Sequence, residues 1–178
     1  MRRLILFLPL VVMLFFSPAV LSGAEPAAPT VIVLSSGEPL LAGSVEAYVE
    51  KQLAKRGFDV VDESGVPGLR SWLEGRVSQE EESRVLQTLS QRAAHLIVIE
   101  ATYLGDRPLY YLYRTEPIFQ ARLKIRSLPF KLDAMPRILF DDRMEFTHLS
   151  LDRAIEKALG RQMKDIAEQL SGHQTSEQ

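Results

Sequence analysis

The alternation of hydrophobic and polar positions along the chain gives way in its middle to a nearly continuous apolar stretch, His95-Leu-Ile-Val-Ile-Glu-Ala-Thr-Tyr103. Its four consecutive large aliphatic residues, at 96–99, are typical of a strand that is buried on both faces. The stretch is too short for a membrane-spanning helix. Because such a strand needs a helix layer on at least one side, we predict that it lies centrally in an α/β domain.

The pattern before this central strand predicts a β-α-β unit. An apolar run at Thr30–Ser35 predicts the first strand, and Phe58–Asp62 predicts the second. Between them, apolar residues recur at helical spacing from Pro39, and Gly57 stands where a left-handed residue usually ends a helix. The unit is expected to be right-handed. The glycine-rich segment Ser64–Gly75 predicts a loop with one short helical turn.

The next elements lead into and out of the central strand. Ser78-Gln-Glu-Glu81 is a capping-box pattern and predicts a helix up to about Arg92. Gly105-Asp-Arg-Pro108 has the composition of a turn. From Phe119 to Leu128 apolar and polar residues alternate strictly, which predicts a strand with one wet face in an antiparallel pair. We predict that Arg137–Phe146 is its partner.

The last periodic segment predicts a single amphipathic helix of about five turns. Ser150 is its predicted N-cap, Asp152 lies in its first turn, and Gly172 ends it. Its broad apolar face has to lie on the sheet. The predicted fold class is therefore α/β (α+β), with a single mixed sheet of about five strands, an initial β-α-β unit, a late antiparallel pair and a long C-terminal amphipathic helix packed on the sheet.

The amino-terminal pattern predicts a secretory signal peptide over residues 1–24. Met1-Arg-Arg3 is basic, Leu4–Phe16 is apolar, and small residues follow up to Ala24, which favours cleavage before Glu25. An uncleaved signal anchor is the alternative, and it is the one route by which we expect membrane contact. Residues 25–29 are expected to be a flexible lead-in, 30–171 a single domain, and 172–178 a disordered polar tail.

Composition narrows the setting. The chain has no cysteine, which excludes disulfides, thiolate metal sites and the acylated cysteine of a lipoprotein. Together with the leader, this favours a bacterial periplasmic protein that is not a lipoprotein. Removing Arg2 and Arg3 with the leader changes the formal net charge from −2 to −4. A weakly acidic chain without a basic run does not favour nucleic acid as a partner.

Two further sequence features resemble a known group of envelope domains. Lys55-Arg-Gly-Phe-Asp-Val-Val61 follows the first helix, and Ala93-Ala-His-Leu-Ile-Val-Ile99 opens the central strand. In these features and in the order of its elements, the chain resembles the domain shared by the curli secretion protein CsgG, the amino-terminal part of TolB and the penicillin-binding-protein activator LpoB. It departs from their pattern at His95, where Asp is usual, and at Glu100, where Gly is usual. The resemblance implies a non-enzymatic periplasmic adaptor fold.

The polar residues form no recognisable catalytic motif, and we assign no catalytic, cofactor-binding or metal-binding residue. The three histidines lack ligand spacing, so a structural role is expected for His95. Glu100, inside the apolar strand, is expected either to pair with an arginine such as Arg122 or Arg126 or to lie near the wet end of the strand. The adjacent Asp141 and Asp142 are expected in a solvated turn.

Two segments are candidate binding sites. In the run Leu109-Tyr-Tyr-Leu-Tyr113, we predict that Leu109, Tyr110, Tyr111 and Tyr113 contact a protein partner of the cell envelope. The alternative is that alternate members pack into the core. Ser35, Ser36 and Gly37 precede a helix and are a candidate anion or ligand site together with the loop Ser64–Gly75, although ordinary turn chemistry explains them better. The predicted function is a periplasmic adaptor, and the alternative is a small-molecule or anion-binding domain.

Overall fold

The computed structural model describes residues 28–111, 114–130 and 135–171. The predicted signal peptide, most of the lead-in, the tail and Tyr113 lie outside these residues. The strands are β1 (Thr30–Gly37), β2 (Asp59–Val61), β3 (His95–Tyr111), β4 (Arg114–Pro129) and β5 (Arg137–Phe146). The helices are α1 (Pro39–Ala54), α2 (Leu69–Leu73), α3 (Gln79–Arg92), α4 (Leu151–Leu159) and α5 (Gln162–Ser171), and a 3₁₀ turn lies at Glu63–Gly65.

The strands form one mixed sheet in the order β2-β1-β3-β4-β5. The first strand pairs in parallel with both β2 and β3, while β4 pairs antiparallel with both β3 and β5. The predicted fold class is thereby confirmed, including the β-α-β unit and the antiparallel arrangement late in the chain. The predicted capping box is also present, since the side chain of Ser78 caps the Glu81 amide and the Glu81 carboxylate accepts from the Ser78 amide at 2.9 Å.

Helices cover the two faces of the sheet unequally. Buried residues of α1, α4 and α5 pack on one face, from β1 across to β5. On the opposite face, α2 and α3 pack against β1 and the start of β3, with Val61 of β2 and Leu128 of β4 at the margins. The central residues 96–99 are fully buried because helices lie on both sides of them, as the apolar stretch predicted. We call the face under α1, α4 and α5 the helix-covered face and the other the half-open face.

The half-open face is polar where helices are absent. Along β4, Ala121, Leu123 and Ile125 are buried under the helices, whereas Arg122 and Lys124 alternate with them on the other side. The strict alternation of the sequence therefore describes β4 correctly. The prediction of a turn at Asp141-Asp142 was wrong, because both residues lie within β5, where Lys124 and Leu123 of β4 pair with them.

The segment Gly105–Pro108 is also not a turn, contrary to the prediction. It belongs to β3, which continues to Tyr111 and pairs with β4 along its whole length. Leu104 is an extra residue in a bulge, and Gly105 follows it at φ +141, a conformation that favours glycine. Turn-forming residue types thus mark a bulge here rather than the end of the strand.

The carboxyl-terminal helix is broken, whereas the sequence predicted one continuous helix. The break lies at Gly160 and Arg161, between α4 and α5. A Cβ atom at Gly160 would lie 2.5 Å from the carbonyl oxygen of Glu156, so a larger residue there would require the chain to shift. Ser150 does occupy the N-cap position, but its hydroxyl accepts from the Thr147 amide at 2.9 Å instead of capping the helix.

Candidate partner-binding surface

The tyrosine-rich segment lies at the far end of a two-stranded ribbon that leaves the sheet. The first strand ends where Gly37 pairs with Ala101, and β5 ends where Phe146 pairs with Phe119. Beyond these pairs, Arg107–Tyr111 and Arg114–Ile118 pair with each other alone among the described residues. We call these two segments the ribbon. At about 3.3 Å per residue, it extends roughly 15 Å past the body of the sheet.

The ribbon exposes the predicted contact residues as far as the structure describes them. The side chain of Tyr110 is 79% exposed and that of Leu109 is 38% exposed. The backbone of Tyr111 pairs with Arg114 beside the tip, and Tyr113 lies outside the described residues. The alternative that alternate members of this run pack into the core does not hold for Leu109 and Tyr110. Whether the run contacts a partner stays a prediction.

The edges of the ribbon are poor templates for a further strand. Pro108 and Pro117 stand opposite each other, one in each strand. Proline has no N–H group, so each edge lacks a donor at the same level. Natural sheets use proline in this way to prevent edge-to-edge pairing. A partner of the ribbon therefore has to contact its side chains rather than extend its hydrogen-bond ladder.

Further exposed apolar side chains lie at the same end of the molecule. Leu40 is the second residue of α1, just after β1 ends, and Leu149 precedes α4, just after β5 ends. Both strands end beside the base of the ribbon, where Tyr103 and Leu104 are also about half exposed. We call these residues together the ribbon-end surface: Leu40, Tyr103, Leu104, Leu109, Tyr110 and Leu149. Exposed apolar side chains that gather at one end of a molecule make that end a candidate interaction site.

A row of aromatic rings crosses the base of the ribbon on the helix-covered face. Phe119 of β4 is in the middle, with its ring centroid 6.3 Å from that of Tyr103 and 4.5 Å from that of His148. Phe146 supports Phe119 from below at 5.5 Å and is itself buried. The Tyr103 hydroxyl donates to Asp106 at 2.9 Å, and this hydrogen bond raises the pKa of Tyr103. Tyr103 is therefore a neutral, oriented phenol near pH 7.

The half-open face carries charges that are largely satisfied by one another. Arg122 donates two hydrogen bonds to Asp141, at 2.6 and 2.7 Å. This hydrogen bonding lowers the pKa of Asp141. Glu100 pairs with Arg126, which confirms one of the two expected partners. Because these surface charges already pair with one another, they are poor candidates for binding a charged ligand.

The candidate anion site is lined by carboxylates. The hydroxyl of Ser35 donates to Glu46, and Ser36 donates to the carbonyl of Ile99 at 3.4 Å. The carboxylate of Glu38 accepts from the Leu41 amide at 2.7 Å and so occupies the N-terminus of α1 itself. Gly37 is needed for a different reason, since a Cβ atom there would lie 1.9 Å from the Ala101 carbonyl oxygen. Two carboxylates at this position disfavour an anion on electrostatic grounds.

The remaining polar groups within 28–111, 114–130 and 135–171 do not cluster as the ligands of a metal ion would. No group of three or more potential metal ligands is present in these ranges. His95 is buried, with Nδ1 3.2 Å from the Ser127 hydroxyl, in agreement with a structural role. A groove of about 540 Å³ between α1 and α4 is lined by Tyr48 and Glu156, and burial, followed by Glu156, raises the pKa of Tyr48.

The same ranges hold no helix that is both long enough and apolar enough to cross a bilayer. This finding concerns the described helices alone.

Sequence reasoning missed the aromatic row and the proline pair. Tyr103, Phe119 and His148 come from three separate segments of the chain, and no local pattern places them together. Pro108 was predicted to lie in a turn, although the alternating strand after Phe119 could have suggested a long hairpin around both prolines.

No protein-family model matches the chain, and no curated protein matches it. Among solved structures, it is similar to a hypothetical protein of Chlamydia trachomatis (10% identity, TM-score 0.39, covering 83% of this chain and 95% of that one). It is also similar to a lipoprotein of Neisseria meningitidis (13%, 0.41, 81% and 99%) and to a minor lipoprotein of Acinetobacter baumannii (9%, 0.39, 82% and 94%). At these low identities and TM-scores, the similarities carry no argument about function. The structural neighbours are bacterial lipoproteins and hypothetical proteins with a distantly similar chain path.

Proposed function

We propose that this chain is an exported, non-enzymatic adaptor domain of the bacterial envelope that binds a protein partner through the ribbon-end surface. The observation that carries the proposal is the ribbon itself, which leaves the sheet and holds Tyr110 79% exposed. Its prolines block strand addition at the edges while its side chains remain accessible. A surface of this construction serves contact through side chains.

The energetics of the ribbon favour an occupied state. A two-stranded ribbon on its own is marginally stable in water, because it has no layer to bury its side chains against. Covering apolar surface contributes about 25 cal/mol for each Å² removed from water. Tyrosine and leucine contribute large contact areas, and tyrosine adds a hydroxyl that can bond at the rim of an interface. Binding of a partner would therefore stabilise the segment that the fold leaves uncovered.

The sequence supports the cellular setting. The predicted signal peptide implies export, and the lack of cysteine at the end of the leader argues against a lipid anchor at that site. The resemblance to the CsgG, TolB and LpoB domain implies an adaptor role in the periplasm. The observed order of elements, with a β-α-β unit, a helix, three antiparallel strands and terminal helices, agrees with the order on which that resemblance rests.

Substitution at the ribbon tests the proposal. Leu109→Ser and Tyr110→Ser together remove both exposed apolar side chains of the described tip. After crosslinking in intact cells and purification of the protein, we expect the wild type to retain a discrete envelope partner and the double variant to lose it. Ile138→Ser is the matched control, because Ile138 is 59% exposed on β5 and pairs with Arg126, away from the ribbon.

Thermal unfolding of all three proteins accompanies this experiment. We expect the double variant to unfold at the temperature of the wild type, since exposed side chains contribute little to folding. Undiminished capture of the partner by a folded double variant would contradict the proposed function.

A further inference from the structure

The aromatic row at the base of the ribbon restricts the kind of partner segment that fits this end of the molecule. Tyr103, Phe119 and His148 stand side by side on the helix-covered face, just above the level at which the helices begin. Tyr103 comes from β3, on one side of Phe119. His148 comes from the chain that leaves β5, on the other side. The row therefore runs across the strands.

The spacing of the row suits a polyproline II segment. The outer rings lie 6.3 and 4.5 Å from the central ring, one on each side. A polyproline II helix repeats every three residues, or about 9 Å, so two prolines one turn apart can contact both outer rings. Proline rings dock on aromatic side chains in this way in several peptide-binding domains, where the preformed conformation keeps the entropic cost of binding low.

The other two secondary structures fit this place less well. An added strand needs an edge with unpaired donors, and Pro108 and Pro117 remove one donor from each edge of the ribbon. A helix needs a wide apolar groove. The row is instead bordered by Asp106, which pairs with Phe119 and holds the Tyr103 hydroxyl.

The carboxylate of Asp106 adds a charge preference. It lies beside the row and accepts one hydrogen bond from Tyr103, which leaves acceptor positions for a second donor. A lysine or arginine next to the prolines could use them. The side chain of Leu149, directly after His148 and 91% exposed, adds apolar contact area at the far end of the row.

We infer that Tyr103, Phe119 and His148 form a docking site for an extended, proline-containing segment of a partner protein, with a basic residue beside the prolines. This inference rests on the proposed function and names the chemistry of the partner at the same surface. The segment would lie across the base of the ribbon, and its flanking residues would reach Tyr110, which shares the face of the row.

Titration of the isotope-labelled protein with an oligoproline peptide ending in arginine tests this inference. The protein is purified from the cells that export it. We expect the NMR signals of residues 103, 119 and 148 to shift, with saturation below about 1 mM peptide. An alanine peptide of the same length, also ending in arginine, should leave them unchanged. Tyr103→Ala and His148→Ala should each weaken binding at least about tenfold, since aromatic anchors dominate such contacts.

Ile138→Ala serves as the control variant and should bind the peptide like the wild type, and the amide spectrum of each variant reports whether it is folded. Phe119 is left intact because it packs against the core. Equal binding of both peptides, no shift at the row with 1 mM oligoproline, or shifts there that follow dilution of the protein alone or addition of lipid vesicles would overturn the inference.

The two proposals can fail separately. If the oligoproline peptide does not bind while Leu109→Ser and Tyr110→Ser still abolish capture in cells, the inference about the segment falls and the adaptor function stands. If the Leu109→Ser and Tyr110→Ser variant still captures the envelope partner while the peptide binds at the row, the ribbon does not bind the partner and the aromatic row is the binding site.

Discussion

The two halves of the sheet differ in how helices cover them. The first half holds side chains that are buried on both faces, and the second half presents exposed side chains for contact with a partner. In the first half, β1 and residues 95–101 of β3 have helices on both faces, and their apolar side chains are almost completely buried. In the second half, β4 and β5 have helices on one face and charged residues on the other, and no described helix covers the ribbon. Stability is therefore concentrated in the first half and exposed contact surface in the second.

The largest effect on stability is expected where Gly37 of β1 pairs with Ala101 of β3. In Gly37→Ala, the new Cβ atom would lie 1.9 Å from the Ala101 carbonyl oxygen, at a residue with φ +105. Since backbone strain and overpacking act together, we expect the free energy of unfolding to fall by about 3–6 kcal/mol in urea denaturation. Gly43→Ala is the control. Gly43 lies on the exposed side of α1, with nothing within 4 Å of its Cβ position. The substitution should therefore stabilise the protein by about 0.5–1 kcal/mol. An unchanged unfolding midpoint for Gly37→Ala would refute this close approach.

A matched pair of isoleucines compares the two halves directly. Ile97 is fully buried in β3, whereas Ile138 is 59% exposed in β5. Ile97→Ala should cost about 2–5 kcal/mol because it removes buried methylene groups and leaves a cavity. Ile138→Ala should change the free energy of unfolding by less than about 0.5 kcal/mol. Similar costs for the two variants, measured by the same denaturation, would mean that the halves are covered alike.

The dependence of stability on pH should have opposite signs at one carboxylate of each half. Burial, then Glu46, Asp62 and Glu63, raises the pKa of Glu50 on α1 above its ordinary value of 4.5. Its contribution to stability is thus present below that value and is lost as the pH rises through the folded pKa. Glu50→Gln should therefore be more stable than the wild type at pH 7 and no more stable in acid.

At Asp141 the sign is reversed. Arg122 lowers the pKa of this carboxyl below its ordinary value of 3.8, so its contribution is present above that value and is lost as the pH falls through the folded pKa. Asp141→Asn should be slightly less stable than the wild type at pH 7, with no difference in strong acid and a smaller difference at high salt. Thermal unfolding of both variants across pH measures the two signs, and equal signs would contradict the assigned environments.

The sequence predicted the covered half well because its signals are local. The apolar stretch at 96–99, the capping box at Ser78 and Glu81, and the glycine after α1 each depend on neighbours within a few residues. Two-sided burial of β3 followed from composition alone. The alternation along β4 likewise describes one wet and one buried face, which any register of pairing would preserve.

The open half was predicted less well because its structure depends on distant residues. Gly105-Asp-Arg-Pro108 has the composition of a turn, yet hydrogen bonds from β4 hold it extended, and both prolines are tolerated because the ribbon has two outer edges. The aromatic row joins three segments that only the folded sheet brings together.

The smallest effect on stability should come from the residue with the largest expected effect on binding. Tyr110→Ser removes a side chain that is 79% exposed, so the free energy of unfolding should change by less than about 0.5 kcal/mol. If the free energy of unfolding fell by more than about 1 kcal/mol in urea denaturation, which is the typical contribution of one intramolecular hydrogen bond, Tyr110 would be shown to support the fold.

A photo-crosslinking scan in intact cells asks directly whether the ribbon-end surface or another exposed part of the molecule contacts a partner. A photoreactive residue is placed in turn at Leu104 and Tyr110 of the ribbon-end surface, and at Leu86 of α3 and Ile138 of β5, all of which are exposed. We expect crosslinks to one and the same envelope protein from the first two positions and none to it from the last two. Crosslinks to that protein from Leu86 and Ile138, with none from Leu104 and Tyr110, would contradict the proposed role of the ribbon-end surface.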